Sequence, residues 1–200
     1  LASLVAIAKG DVPVRHWFRL GRAVTPIGRG AALISWSGSM FEYLMPELVM
    51  RTPAGSLLAQ TSRLVVGRQI TYGQERGVPW GVSESAYNVR DVEMTYQYSN
   101  FGVPGLGLRR GLGEDVVVAP YATALAAMIA PAAAVRNFER LTAGGAAGAY
   151  GFYEALDYTA PRLLDSARVA VVRTYMVHHQ GMTLVALANV LHDRVVRTRF

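Results

Sequence analysis

The sequence contains no cysteine and only one lysine, Lys9, and both shortages narrow what it can do. Without cysteine there is no disulfide framework and no thiolate to serve as nucleophile or metal ligand. The cysteine content therefore does not indicate a cellular compartment. The other positive charges are arginines scattered along the chain. The net charge of +6 therefore forms no dense basic stripe, and we expect no nucleic-acid partner.

Charged residues are also scarce, at 17% of the chain, yet no apolar run reaches the roughly 18 residues that a membrane span needs. Hydrophobic residues make up 52%, so 200 residues can bury a substantial core. No linker divides the chain, and we expect one domain over 1–200. Residues 1–10 lack an initiator Met and a basic segment, so they do not resemble a signal peptide. They resemble a helix already in progress, which predicts that the chain is part of a longer protein.

Helical patterns separated by glycine-rich loops dominate the chain, and this favours an all-α fold with only short strands. The predicted helices cover 1–9 (buried, stopped by Gly10), 40–50 (capped by Ser39, shortened by Pro46), 57–75 (ended by Gly77), 120–128, 131–141 and 168–192 (a pair, or one helix broken near Gly181). Residues 11–34 are expected to be irregular.

One stretch, residues 77–88, packs an indole and a carboxylate between glycine and proline breakers. Because glycine and proline disfavour helix interiors, Trp80 and Glu84 are expected in a loop, where binding and catalytic groups concentrate. A flat indole beside an acid suits carbohydrate chemistry. The alternative is structural: Trp80 fills the core and Glu84 caps the next helix.

Glycosidic bond cleavage uses two carboxyl groups, so each of the few acids near an aromatic loop is a candidate. The candidates are Glu42, Glu84, Asp91, Glu154 and Asp157. Glu84 and Glu154 lie in aromatic loops that break helices. Glu42 follows Ser39 by three residues, so a capping role explains it better than catalysis.

A second dense cluster is Tyr175 to Met182, with His178, His179 and Gln180. Adjacent histidines on a helix point about 100° apart and lack the four-residue spacing of zinc ligands, so we expect no metal. Hydrogen bonding to sugar hydroxyls is the functional interpretation. The alternative is one histidine in the core and one exposed. The glycines at 102, 105 and 107 lack the context of a phosphate-binding loop, and no Gly-x-Ser-x-Gly elbow is present, so we expect neither a nucleotide cofactor nor a serine nucleophile.

Six stretches, in order and covering nearly the whole chain, resemble the glycoamylase-like central domain of bacterial cyclic β-1,2-glucan synthases. They are 36–46 (WSGSMFEYLMP), 77–87 (GVPWGVSESAY), 101–112 (FGVPGLGLRRGL), 118–123 (VAPYAT), 150–159 (YGFYEALDYT) and 175–182 (YMVHHQGM). The resemblance implies part of an (α/α)6 toroid that cuts linear β-1,2-glucan and rejoins it into a ring with retention at the anomeric carbon.

The resemblance also implies a site. The family's catalytic glutamate falls on Glu84, as general acid/base, and its second carboxylate falls just upstream of the segment that matches Leu1 to Leu4. The residues that we expect to bind sugar are Trp36, Glu42, Trp80, Tyr87, Glu154, Tyr175, His178, His179 and Gln180.

The same resemblance implies a large parent protein of the bacterial inner membrane, with a glycosyltransferase region before this one and a phosphorylase-like region after it. Linear β-1,2-glucan and those regions are the expected partners. Two alternatives stay open: an endo-β-1,2-glucanase, which would pass the glycosyl unit to water, and a glycan-binding scaffold without catalysis.

Overall fold

Helices form the frame of the molecule. In the computed structural model, residues 1–164 and 166–199 are described. The α-helices in these residues are α1 (Ala2–Ala8), α2 (Met40–Leu44), α3 (Leu57–Arg76), α4 (Pro120–Ala127), α5 (Pro131–Ala143), α6 (Val177–Leu191) and α7 (Val195–Arg199). Short 3-10 turns cover Val14–Arg19, Met45–Leu48 and Ala160–Arg162.

Helix ends fall where the caps and prolines predict them. Ser39 and Ser56 each accept a hydrogen bond at 3.2 Å from the backbone N–H three residues on. Gly77 ends α3 with φ at +68°, a left-handed conformation that glycine adopts without strain. Pro120 and Pro131 open α4 and α5, where a missing N–H costs nothing.

Two helix predictions need correction, and the predicted shortening of a third helix by Pro46 is confirmed. No residue of α1 is buried, although its apolar sequence predicted a buried helix. The segment 168–192 is neither a helix pair nor a broken helix, because α6 runs through Gly181 without interruption. A helix–interior glycine costs only about 1 kcal/mol, and packing of α6 on α4 outweighs it. The predicted helix over 40–50 divides at Met45 into α2 and a 3-10 turn, as Pro46 requires.

The all-α prediction is wrong, because small antiparallel sheets join the helices. Their strands are β1 (Val24–Ile27), β2 (Gly30–Leu33), β3 (Ser85–Arg90), β4 (Tyr96–Ser99), β5 (Val117–Val118), β6 (Ala147–Gly148), β7 (Gly151–Phe152), β8 (Ala155–Asp157) and β9 (Ala170–Val172). β1 pairs with β2, β3 with β4 and β6 with β7, while β8 lies between β5 and β9. The β1–β2 hairpin lies within the segment predicted to be irregular.

The core is centred on α4, whose residues are all buried. α4 packs against α2, α5 and α6, and its alanines allow this close approach. The three-stranded sheet and the stretch 78–86 add buried side chains to the same cluster. The stretch that carries Glu84 is therefore anchored in the buried core.

Candidate active site

Two buried amide side chains hold the backbone that leads to Glu84. Asn137 of α5 accepts from the N–H of Trp80 at 3.1 Å and donates to its carbonyl at 2.8 Å. Gln69 of α3 does the same for Val82, at 2.9 and 2.7 Å. Each amide replaces a strand partner for one residue, so a loop with few backbone neighbours keeps its polar groups satisfied. The position of Glu84 is thereby fixed two residues later.

Glu84 is half-buried and directly precedes β3. Its Oε1 accepts a hydrogen bond at 3.1 Å from the hydroxyl of Tyr98 on β4. Burial raises the pKa of the Glu84 carboxyl; Tyr98 and His179 act in the opposite direction, and the charge of Glu42 adds to the rise. A carboxyl with a raised pKa retains its proton closer to neutral pH, as a general acid requires.

Tyr121 of α4 fixes the backbone of Glu84 and the ring of His179 together. Its hydroxyl donates to the Glu84 carbonyl at 2.9 Å and lies 2.8 Å from the Ser83 Oγ. Its ring stacks on the His179 imidazole with centroids 3.7 Å apart and planes 12° apart. Burial raises the pKa of the Tyr121 phenol well above its usual value, so this group stays neutral.

Glu154 and His179 form a buried pair beside this group. Both side chains are 1% exposed, and the Nδ1 atom of His179 lies 2.7 Å from the Oε1 atom of Glu154. The same oxygen accepts from the N–H of Ala86 at 3.2 Å. The other ring nitrogen of His179, Nε2, lies 3.4 Å from the Tyr98 hydroxyl. Glu84 and Glu154 are thus connected through Tyr98 and His179.

The remaining members of the 175–182 cluster lie around this pair. His178 is exposed, with its ring centroid 4.0 Å from that of His179, so one histidine is in the core and one is accessible. Burial and the neighbouring His179 lower the pKa of His178. Gln180 donates to the Phe152 carbonyl at 3.0 Å and, with Glu154 and His179, lines a cavity of about 250 Å³.

Tyr175 belongs to a group of three tyrosines on the same side of the molecule. Its ring centroid lies 5.2 Å from that of Tyr153 and 5.9 Å from that of Tyr150. A Cβ at Gly148 would lie 2.3 Å from the Tyr175 hydroxyl, so only glycine allows this packing. Tyr150 and Tyr153 line the cavity beside Glu154.

Glu42 is committed to its own helix entrance. Its carboxylate accepts from the N–H of Ser37 at 3.0 Å and of Gly38 at 3.1 Å, while its own N–H is capped by Ser39. Capping therefore explains the position of Glu42, as the sequence predicted, and sugar binding by Glu42 stays a prediction. Its charge nevertheless reaches Glu84, where it follows burial among the causes that raise the pKa.

Three residues expected to bind sugar lie elsewhere. Trp80 is 4% exposed and packs in the core against Gly73, in agreement with the structural alternative for this indole, and its contact with sugar stays a prediction. Tyr87 packs edge-on against Phe101 and beneath the Arg162 guanidinium. Trp36 is 63% exposed and remains available to a ligand.

Two other acidic candidates have structural roles. Asp157 is fully buried and accepts from the Arg162 guanidinium at 2.7 Å and from the N–H groups of Asn88 and Thr159 at 3.0 Å. Asp91 accepts from backbone N–H groups in the turn between β3 and β4. In the described residues, Asp157 and Asp91 each accept hydrogen bonds on both carboxylate oxygens, whereas Glu84 accepts one on Oε1 alone.

Sequence reasoning missed Tyr98 and Tyr121, which both donate hydrogen bonds to Glu84. Tyr121 lies in the 118–123 stretch that carries the family resemblance, so it could have been proposed from that stretch. Tyr98 reaches Glu84 through the pairing of β3 with β4, which has an irregular register between Ala86 and Arg90. No local signal indicates that register.

Within residues 1–164 and 166–199, no three His, Asp or Glu side chains lie together in a manner that would hold a metal ion. The absence of a metal requirement stays a prediction. Over the same residues, the structure contains no helix with the length and apolarity of a membrane span.

Comparisons with known proteins give a consistent result. The family model for glycoamylase, described as "Putative glucoamylase", matches residues 1–200. The chain is 55% identical over all 200 residues to a segment of the cyclic beta-(1,2)-glucan synthase NdvB of Rhizobium meliloti (strain 1021), and it spans 7% of that protein.

Two solved structures share the fold. An endo-beta-1,2-glucanase from Chitinophaga pinensis, in complex with sophorotriose and glucose, gives a TM-score of 0.61 at 14% identity, over 88% of this chain and 42% of that one. A "putative glucoamylase" from Bacteroides fragilis gives 0.60 at 18% identity, over 88% and 41%. The chain thus contains part of a glycoamylase-like fold, helices with small sheets, and it belongs to the glycoamylase family.

Proposed function

We propose that this chain carries the acid/base half of a glycoside-cleaving site that acts on linear β-1,2-glucan. In the full-length protein, this site would close the glucan into a ring by transglycosylation with retention. The observation that carries the proposal is Glu84: a half-buried carboxyl with a raised pKa, anchored by the core and surrounded by Tyr98, Tyr121 and His179. The 55% identity to a cyclic β-1,2-glucan synthase supports the choice of substrate.

In the proposed reaction, protonated Glu84 donates its proton to the glycosidic oxygen as the C–O bond breaks, while a second carboxylate attacks the anomeric carbon and forms a glycosyl ester. The ionised Glu84 then removes a proton from the hydroxyl of the acceptor sugar, whose oxygen attacks the anomeric carbon and displaces the second carboxylate. The second carboxylate of a retaining pair would come from the part of the protein just before Leu1. We also propose that further residues of the parent protein, upstream and downstream of this chain, complete an (α/α)6 toroid.

The polar and aromatic groups around Glu84 are suited to a sugar chain. His178 is exposed beside His179, and the three tyrosines Tyr150, Tyr153 and Tyr175 lie near the Glu154 pair. Aromatic faces cover the C–H surfaces of sugars, while imidazoles hydrogen-bond hydroxyls. The glycosyltransferase and phosphorylase-like regions, and a location of the parent protein in the inner membrane, stay predictions of the family resemblance.

The test is Glu84→Gln in the full-length protein, incubated with purified linear β-1,2-glucan. We expect activity to fall by about 10²- to 10⁴-fold, because the amide cannot transfer a proton. Glu75→Gln, which changes an exposed glutamate at the end of α3, is the matched control and should retain activity. Activity of the Glu84 variant within about threefold of wild type, less than 1 kcal/mol in barrier, would refute the assignment.

The products of the wild-type protein distinguish the alternatives. Rings identify a cyclising transglycosylase. Short linear glucans identify a hydrolase, which would contradict the proposed sugar acceptor but leave the acid/base role of Glu84 intact. Unchanged glucan together with measurable glucan binding would identify a scaffold and contradict the proposal.

A further inference from the structure

A hydrogen-bonded series connects the half-buried Glu84 with the buried Glu154. Glu154 contacts His179 Nδ1 at 2.7 Å, His179 Nε2 lies 3.4 Å from the Tyr98 hydroxyl, and that hydroxyl lies 3.1 Å from Glu84 Oε1. Glu84 is the only one of the four that the proposed reaction requires. The other three side chains therefore need an explanation.

We propose that Tyr98 is a positioning residue that hydrogen-bonds Glu84 in both of its protonation states, and that His179, oriented by Glu154, makes this possible. The inference rests on the proposed acid/base role of Glu84. A residue that acts first as an acid and then as a base needs a partner that can serve both forms.

A phenol can serve both forms because it donates one hydrogen bond and also accepts. When Glu84 is ionised, the Tyr98 O–H points at Oε1. When Glu84 is protonated, its own O–H points at the Tyr98 oxygen, and the phenol turns its hydrogen toward His179 Nε2. The proton on Glu84 stays on Glu84 in this rearrangement, and only the Tyr98 hydroxyl rotates.

The second orientation requires an imidazole nitrogen that can accept. In the neutral imidazole, Glu154 supplies this condition, because a carboxylate that accepts from Nδ1 holds the hydrogen on that atom and leaves Nε2 as the acceptor. The stacked ring of Tyr121 keeps the imidazole in this plane. Burial and the charge of Glu84 raise the pKa of Tyr98 above its usual value, so the phenol remains a donor.

The charged and titratable groups that face Glu84 come from four elements. They are Tyr98 on β4, His179 on α6, Glu42 on α2 and, through its hydroxyl on the Glu84 carbonyl, Tyr121 on α4. Among these, Tyr98 alone contacts the Glu84 carboxylate directly in the described residues.

The experiment is a double-mutant cycle in the full-length protein, with kcat/KM on linear β-1,2-glucan measured across pH. Tyr98→Phe should lower kcat/KM by about 10- to 100-fold, the usual effect of one hydrogen bond to a charged group. It should also move the basic limb of the pH profile upward, because the lost bond favoured ionised Glu84. His179→Gln should lower kcat/KM by about 10-fold.

If His179 acts through Tyr98, the double variant should be no more than about threefold worse than Tyr98→Phe alone. If the fold-reductions in kcat/KM of the two single variants multiply in the double variant, His179 acts independently of Tyr98 and the inference is overturned. Tyr96→Phe on the same strand and His192→Gln at the end of the same helix are matched controls that should retain the wild-type profile.

Folding is checked by the thermal midpoint of each variant. Should His179→Gln unfold, Glu154→Gln tests the same coupling, since it removes the charge that orients the imidazole. Wild-type rates for Tyr98→Phe, alongside an inactive Glu84→Gln, would reject the positioning role and leave the proposed function intact. An active Glu84→Gln would reject the proposed function itself.

Discussion

At the scale of single residues, Glu84 is subject to opposing influences. Burial raises the pKa of its carboxyl, while Tyr98 and His179 lower it, and the net shift is upward. The folded protein therefore binds this proton more tightly than the unfolded chain does. By linkage, the resulting stabilisation is present at low pH and is lost as the pH rises through the folded-state pKa. The ionised form of Glu84 thus costs stability at the pH where the site works.

Glu84→Gln should therefore raise the thermal midpoint at pH 8, by roughly 1–3 °C for a domain of this size. Below about pH 4 the difference should vanish, because the wild-type carboxyl is then neutral in both folded and unfolded states. Thermal unfolding of both proteins at the two pH values checks this. Glu75→Gln, at an exposed glutamate paired with Arg68, should give no such gain. A lower midpoint for Glu84→Gln at pH 8 would contradict the linkage argument.

The sequence was informative about residues only where the pattern is local. A Gly-x-Pro-x-Gly run predicts that Glu84 lies outside a helix, and the structure places it before β3. The same run could not distinguish a cleft from the core for Trp80, since an indole suits both. Tyr98 could not be predicted as a contact, because its approach depends on how β3 pairs with β4.

At the scale of elements, α3 contains two glycines in different surroundings. A Cβ on Gly73 would lie 2.8 Å from the Trp80 Cβ and 3.0 Å from its Cα, so the helix can approach the 77–88 loop only with glycine there. Around Gly67, which is exposed, nothing lies within 4 Å of an added Cβ. One helix thus offers a crowded site and an open one.

Gly73→Ala and Gly67→Ala should therefore have opposite effects. Gly67→Ala should stabilise the protein by up to about 1 kcal/mol through helix propensity alone. Gly73→Ala gains the same propensity but should destabilise by about 1–3 kcal/mol net, because it displaces the backbone of Trp80. Thermal or denaturant midpoints of the two variants provide the measurement, and each serves as the other's control. Stabilisation by both would show that α3 and the loop can separate without cost.

Helices and strands could be predicted from the sequence only where nearby residues mark their ends. Ser39, Ser56 and Pro120 each mark a helix start that a sequence reader can identify, because a cap acts within one turn. Strands of two to four residues such as β5 and β8 show no periodicity, and their pairing joins segments about forty residues apart. The all-α prediction failed for that reason.

At the scale of the whole molecule, α6 presents an apolar stripe to solvent. Val177, Leu184 and Leu191, spaced seven residues apart, are 88%, 69% and 73% exposed. Residues seven apart lie on one face of a helix, so these side chains form one continuous row. Solved relatives with the same fold are more than twice as long as this chain, which covers 41–42% of them. We expect other residues of the full-length protein to cover the row.

Leu191→Gln should have opposite consequences in the two contexts. Leu and Gln have similar helix propensities, so α6 itself should be unaffected. In the isolated 200 residues, the change should increase the soluble fraction, because it interrupts an exposed apolar patch. In the full-length protein it should lower stability by about 2–3 kcal/mol, the value of burying a leucine. Val92→Gln, at a turn residue that is 92% exposed, is the control and should be nearly neutral in the full-length protein. Equal stability of the full-length wild type and Leu191→Gln would mean that the row on α6 stays in solvent.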